Sequence, residues 1–195
     1  MKTIIYKLLM PIYGIFYRLI YRPTIIGKEN IPKKGAIILC GNHKHTRDQM
    51  NVMIVTRRVI HYMAKEEYFE GKFAWFFKLA GCIKVDRRIH DEEAKKTALS
   101  FLNKGGAVGI FPEGTRNKTI GTKDEVDLLP FKFGAVSLAK KSNALIVPFG
   151  ISGDYTGKKG HLVCRIGKPF SVSDMDLPQA NELLRKNILK LMKNK

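Results

Sequence analysis

Short apolar runs separated by polar turns dominate the chain. Residues 36–40, 59–63, 82–85, 107–111, 144–149 and 162–166 are brief and almost wholly apolar. Runs of that length bounded by turn residues predict buried strands. Between them lie helical patterns. Residues 91–104 carry alanines and leucines at helical spacing and stop at Gly105-Gly106. Residues 131–141 read as a helix, and 178–192 as an amphipathic one with Leu183, Leu184, Ile188, Leu191 and Met192 on one side. Residues 68–79 form an aromatic helical stretch whose Trp75, Phe76 and Leu79 share a face, which predicts core packing. Strands alternating with helices predict an α/β fold: a mixed, largely parallel central sheet flanked by helices. No internal repeat or low-complexity segment interrupts it.

The N-terminal pattern differs. It is rich in Ile, Leu, Phe and Tyr and punctuated by Lys2, Lys7, Arg18 and Arg22. Its longest uncharged run, residues 8–17, is too short to span a bilayer core of about 30 Å. No small-residue cleavage site follows. The pattern fits a short interfacial helical anchor, bent or broken at Pro11 and Gly14. Residues 1–24 are therefore read as a membrane-interface segment and 25–195 as the globular domain.

Charge sharpens this picture. Lys and Arg total 35 against 17 acids, a net charge of +18. That excess calls for an anionic partner: nucleic acid, an anionic membrane or a phosphorylated substrate. No zinc-finger, RNA-recognition or helix-turn-helix pattern supports nucleic acid. The cysteines Cys40, Cys82 and Cys164 lack metal-ligand or disulfide spacing and suit free thiols in a reducing cytosol.

The chemistry clusters just past strand ends. Asn42-His43-Lys44-His45-Thr46-Arg47-Asp48 leaves the first strong strand. A turn there lets Asp48 reach back to His43, and a carboxylate on one ring nitrogen makes the other a better base. His43 and His45 have no further clustered ligands, so no metal is expected. Phe111-Pro112-Glu113-Gly114-Thr115-Arg116 offers backbone N–H groups, a hydroxyl and a guanidinium, which suit a phosphate. Asp86-Arg87-Arg88 adds cations. In a parallel sheet these strand ends share one edge, where ligands bind.

Four ordered blocks resemble glycerolipid acyltransferases of the bacterial 1-acyl-glycerol-3-phosphate type: the His-x4-Asp spacing at His43 and Asp48, Gly81-Cys-Ile-Lys-Val-Asp-Arg87, Phe111 to Arg116, and Ile146-Val147-Pro148. Ala64-Lys65-Glu66 is also similar. The resemblance implies an enzyme that moves a fatty acyl group from acyl-CoA or acyl-carrier protein to the 2-hydroxyl of lysophosphatidic acid, giving phosphatidic acid. It implies His43 as general base and Asp48 as its orienting partner. It assigns Glu113, Gly114, Thr115 and Arg116 to the glycerol-phosphate end, with Arg87 and Lys65 assisting. Glu113 cannot bind phosphate directly, so it orients the loop or holds a cation. No cofactor is implied beyond the acyl thioester as co-substrate.

Two positions depart from the family: His45 stands where Ser or Thr is common and is a competing base, and Lys84 replaces an apolar residue. An interfacial anchor, a basic surface and a phosphate site together place the enzyme on the cytoplasmic face of a membrane. The open alternative is another lysophospholipid or a non-glycerol alcohol as acceptor.

Overall fold

Six of the seven strands in the structure coincide with the apolar runs. The structure is a computed structural model that describes residues 4–72, 74–86, 88–89, 91–117 and 128–193. The strands are β1 (Thr24–Ile26), β2 (Ile37–Gly41), β3 (Ile60–Lys65), β4 (Ile83–Val85), β5 (Ala107–Ile110), β6 (Leu145–Gly153) and β7 (Leu162–Ile166). They form one sheet in the order β1-β7-β6-β2-β5-β3-β4. Among the described strands only the β6–β7 pair is antiparallel. The helices are α1 (Ile4–Tyr21), α2 (Asp48–Met53), α3 (Ala74–Leu79), α4 (Glu92–Asn103), α5 (Gly134–Ser142) and α6 (Leu177–Lys193).

Successive residues of a strand face opposite sides of a sheet, so a strand covered on both faces is apolar throughout. β2 is buried at all its positions. Its Ile38 and Cys40 pack with α4, α5 and α6 through Ala98, Leu102, Val136 and Leu184. Its Ile37 and Leu39 pack on the other face with Val52 of α2 and Phe149 of β6.

Helix ends follow their sequence signals. Asp91 caps α4 by accepting the Ala94 N–H at 2.9 Å. At the other end Gly105, with φ 71°, turns the chain left-handed. Its N–H reaches the Leu102 carbonyl and that of Gly106 reaches Phe101, closing a Schellman motif.

Two expectations are corrected. α1 is one helix that contains Pro11 rather than two short ones. Pro11 lies on its exposed face, while Tyr6, Gly14 and Tyr17 are buried on the other. A Cβ on Gly14 would sit 3.4 Å from Ile54, so α1 passes within side-chain contact of the end of α2 there. Packing on that face outweighs the local propensity cost, about 1 kcal/mol for a mid-helix glycine. The aromatic stretch is not core either. It is a short 3-10 turn (Glu66–Phe69) and then α3, which has no buried residue. Trp75 is 57% and Phe76 46% exposed, because α3 packs chiefly on that 3-10 turn, which itself lies against β3 and β4.

His61 on β3 gives the domain a pH dependence. It is buried, its Nδ1 lies 2.7 Å from the Gly81 carbonyl, and its ring stacks on Phe101. Burial holds its imidazole below the ordinary value, against the Gly81 hydrogen bond. The unfolded state therefore takes the proton first, near pH 6.5. Stability is full above that value and falls as the pH drops from there toward the folded pKa. His61→Asn keeps a donor for Gly81 and removes the titration. Its melting temperature should fall less between pH 7 and pH 5.5 than that of the unaltered protein; equal slopes would show that His61 is not responsible.

Candidate active site

β2 and β5 run parallel, with Ile37 opposite Ala107 and Cys40 opposite Ile110. The loops that leave them therefore meet at one edge. Asn42 braces the first loop. Its side chain accepts the Ile151 N–H at 2.7 Å and donates to the Ile151 carbonyl at 2.9 Å, which extends the sheet pairing past Gly41. Glu113 ties the second loop to the first by accepting the N–H of His43 at 2.9 Å and that of Leu129 at 3.0 Å. Burial pushes the Glu113 carboxyl above the ordinary glutamate range, opposed by these bonds and by the Asn117 side chain. The acid is thus a loop tie, with its oxygens committed to protein donors.

The five-residue spacing from His43 to Asp48 wraps a turn around the carboxylate at the first residue of α2. Asp48 has no solvent exposure. Its Oδ2 accepts the N–H groups of Lys44 and His45, each at 2.7 Å, and lies 2.9 Å from His43 Nδ1. Its Oδ1 accepts the Tyr155 hydroxyl at 2.6 Å. An ionised carboxylate accepts only, so His43 Nδ1 carries the proton and Nε2 keeps a lone pair. The His43 ring stacks on Phe111, with centroids 4.0 Å apart. That arrangement can take a proton from a hydroxyl and hold the imidazolium that results.

His43 opens on a cavity of about 1020 Å³, at the upper end of the roughly 300–1,000 Å³ range of small-molecule sites. The walls come from α1, α2, β3 and α3 and are mostly apolar, including Met10, Phe16, Met53, Tyr62 and Phe77. Arg47 and Arg116 line the same cavity. One space therefore holds a long apolar wall, a base and two guanidinium-bearing residues.

The sequence-predicted residues divide clearly. His43, Asp48, Glu113 and Arg116 come together, and Gly114 and Thr115 sit on the same turn. Gly114 has φ 70°, and its N–H returns to the Phe111 carbonyl. Lys65 is not brought to the histidine. It ends β3, pairs with Glu67 at 3.0 Å and lines a separate depression with Glu66, Asp86 and Arg88. Arg87 lies outside the described residues. Lys84 is half-exposed and paired with Glu66 at 2.5 Å.

His45 gives its backbone N–H to Asp48, while its ring stacks on Tyr155 and its Nδ1 accepts the Arg47 N–H at 3.3 Å. Burial lowers its imidazole pKa, with Arg47, Arg116 and Lys44 adding to that and Asp48 opposing.

Four residues near the site lie outside the sequence-predicted set. Arg47 carried a signal, since it lies inside the His43–Asp48 spacing. Lys132 carried a weaker one: its side chain lies over Gly114, where a Cβ would meet Lys132 Cε at 3.0 Å. Tyr155 and Asn51 carried none, because their partners are set by tertiary packing.

The acyltransferase family model matches residues 22–152. The chain is 33% identical over 166 residues to 1-acyl-sn-glycerol-3-phosphate acyltransferase of Bacillus subtilis, covering 82% of this chain and 79% of that protein. It is 31% identical over 179 residues to the enzyme of the same name from Saccharomyces cerevisiae, covering 83% of this chain and 56% of that protein. The crystal structure of the 1-acyl-sn-glycerophosphate acyltransferase of Thermotoga maritima has the same fold, with a TM-score of 0.72 at 21% identity over 97% of this chain and 80% of that one. With its sheet, its paired strand-end loops and these matches, the chain belongs to the acyltransferase family.

Proposed function

We propose that this acyltransferase moves a fatty acyl group from acyl-CoA or acyl-carrier protein to the 2-hydroxyl of 1-acyl-glycerol-3-phosphate, giving phosphatidic acid. The observation that carries the reading is the meeting of His43, Asp48 and Arg116 on one apolar cavity. The relatives' names supply the acceptor.

The reaction then needs no covalent enzyme intermediate. His43 Nε2 takes the proton of the 2-hydroxyl. The alkoxide attacks the thioester carbonyl and forms the new C–O bond. The tetrahedral intermediate collapses, the C–S bond breaks, and the thiolate takes the proton from His43. Asp48 holds the ring and balances its transient charge. Arg116 and the Gly114-Thr115 turn bind the phosphate; the cavity takes the acyl chains.

Arg116→Ala should raise KM for 1-acyl-glycerol-3-phosphate by about tenfold or more, the worth of one charge-assisted contact. Its kcat should change little. An equal effect on a 1-acylglycerol without phosphate would exclude the phosphate role. Comparing the same acceptor with other lysophospholipids fixes the head group.

The protein works on a membrane surface in this reading, on the cytoplasmic face. Among the described residues no helix is long and apolar enough to cross a bilayer. α1 instead exposes Leu8, Ile12, Ile15, Phe16, Leu19 and Ile20, and α3 exposes Trp75 and Phe76, with Phe76 lining the same cavity as Ile12 and Phe16. Exposed apolar area of that extent, flanked by Lys7, Arg18 and Lys78, suits an anionic lipid interface. Leu8, Ile15 and Leu19 changed together to Ser should weaken co-sedimentation with phosphatidylglycerol vesicles by about tenfold or more, with the melting temperature kept. Unchanged co-sedimentation would overturn the surface assignment.

A further inference from the structure

Four side chains form an unbroken hydrogen-bonded line that ends on the Asp48 carboxylate. The Tyr17 hydroxyl of α1 donates to Asn51 Oδ1 at 3.0 Å. Asn51 Nδ2, on α2, donates to the Tyr155 hydroxyl at 3.0 Å. The Tyr155 hydroxyl donates to Asp48 Oδ1 at 2.6 Å. Every proton in the line points toward the carboxylate. Tyr17, Asn51 and Asp48 are buried to within 1% of full burial. Such a line runs in one direction only, because Asp48 is an obligate acceptor and Tyr155 has a single proton to give.

The two oxygens of Asp48 are not held alike. Oδ2 faces three donors: His43 Nδ1 and the N–H groups of Lys44 and His45. Oδ1 has the Tyr155 hydroxyl. Rotation about the Cβ–Cγ bond moves both oxygens. The contact on Oδ1 therefore adds to the three on Oδ2 in resisting it and helps keep Oδ2 aimed at the imidazole. The Tyr155 ring is itself fixed. It stacks on His45 with centroids 4.2 Å apart and meets Tyr21 of α1 edge-on at 5.7 Å.

We propose that Tyr155 is a positioning residue for acyl transfer, acting through Asp48 on His43, and that Asn51 and Tyr17 extend this support to α1. The proposal rests on the acyl-transfer reading above for its kinetic consequences and on geometry for the rest. Burial and the Asp48 carboxylate raise the Tyr155 phenol far above the ordinary range, so it stays a donor at any working pH. One consequence is mechanical: the helix that carries the exposed apolar face is bonded through two side chains to the group that orients the base.

Tyr155→Phe keeps both ring contacts and removes only the hydroxyl. It should lower kcat about tenfold, the usual scale for an outer partner of a functional group, with KM for both substrates within about twofold. In the Asp48→Asn background the same change should cost almost nothing further, because its target is already lost. A packing role would instead cost the same in both backgrounds. Tyr17→Phe, at the far end of the line, should give a smaller loss of the same kind, and it decides the matter should Tyr155→Phe fail to fold. In detergent micelles the downfield proton resonance of His43 Nδ1–H should broaden in Tyr155→Phe as the carboxylate pivots. An unchanged kcat, a loss carried by KM, a full loss in the Asp48→Asn background or an unchanged resonance would each overturn the proposal. A protein inert toward 1-acyl-glycerol-3-phosphate would fail the functional reading alone, since the resonance still tests the line.

Discussion

His43→Ala should abolish most acyl transfer, by about 100-fold or more, while leaving the fold intact. The size follows from the chemistry: an alcohol is a poor nucleophile until its proton is taken as it attacks. Among the described residues no other group in the cavity is held as His43 is to take it. His45 stacks on Tyr155 and has a lowered pKa, which makes it a weaker base. The fold should survive because the imidazole is 14% exposed at the cavity and tethered by one side-chain bond. The Asp48 carboxylate keeps three other donors when the ring is removed. Rates measured beside a thermal melt separate the two effects. Full activity with a normal melt would remove His43 from the mechanism and send the search to His45.

Asp48→Asn should be nearly as damaging, for a different reason. The amide oxygen can take the place of Oδ2 and accept from Lys44, His45 and the ring. The amide nitrogen then faces the Tyr155 hydroxyl, which still has Asn51 as a donor. Folding is therefore largely preserved. What disappears is the negative charge that steadies the imidazolium during transfer. A loss of about 100- to 1,000-fold in kcat, with KM unchanged, is the expected result. Asp48→Ala would be a poorer test. It leaves four part-buried donors without their acceptor, at up to about 1–3 kcal/mol each, enough to confound stability with rate. A kcat within a few-fold of the unaltered enzyme in Asp48→Asn would show that orientation by charge is not needed.

The parallel core was legible because covered strands cannot hide: Ile37–Cys40 or Ala107–Ile110 must be apolar on both faces. The Gly105-Gly106 stop was legible because only glycine takes that turn cheaply. β1 was missed because three edge residues, two of them exposed, leave no periodic trace. The continuity of α1 through Pro11 was missed because it depends on Tyr6 and Tyr17 finding partners elsewhere. The same split runs through the site. His43, Asp48, Glu113 and Arg116 sit in two short segments just past strand ends, and the family resemblance of those segments picks them out. Lys65 resembled a site residue by its neighbours, yet it pairs with Glu67 and lines a depression other than the cavity of His43. Tyr155 meets Asp48 across 107 positions, a contact that only the folded sheet creates.

The most direct test of the account is acyl transfer from oleoyl-CoA or oleoyl-acyl-carrier protein to 1-acyl-glycerol-3-phosphate on mixed anionic vesicles, with His43→Ala measured beside it. The account predicts phosphatidic acid from the unaltered protein and almost none from the variant. Equal product from both would contradict the base assignment, and no product from the unaltered protein with either donor would contradict the assigned acceptor.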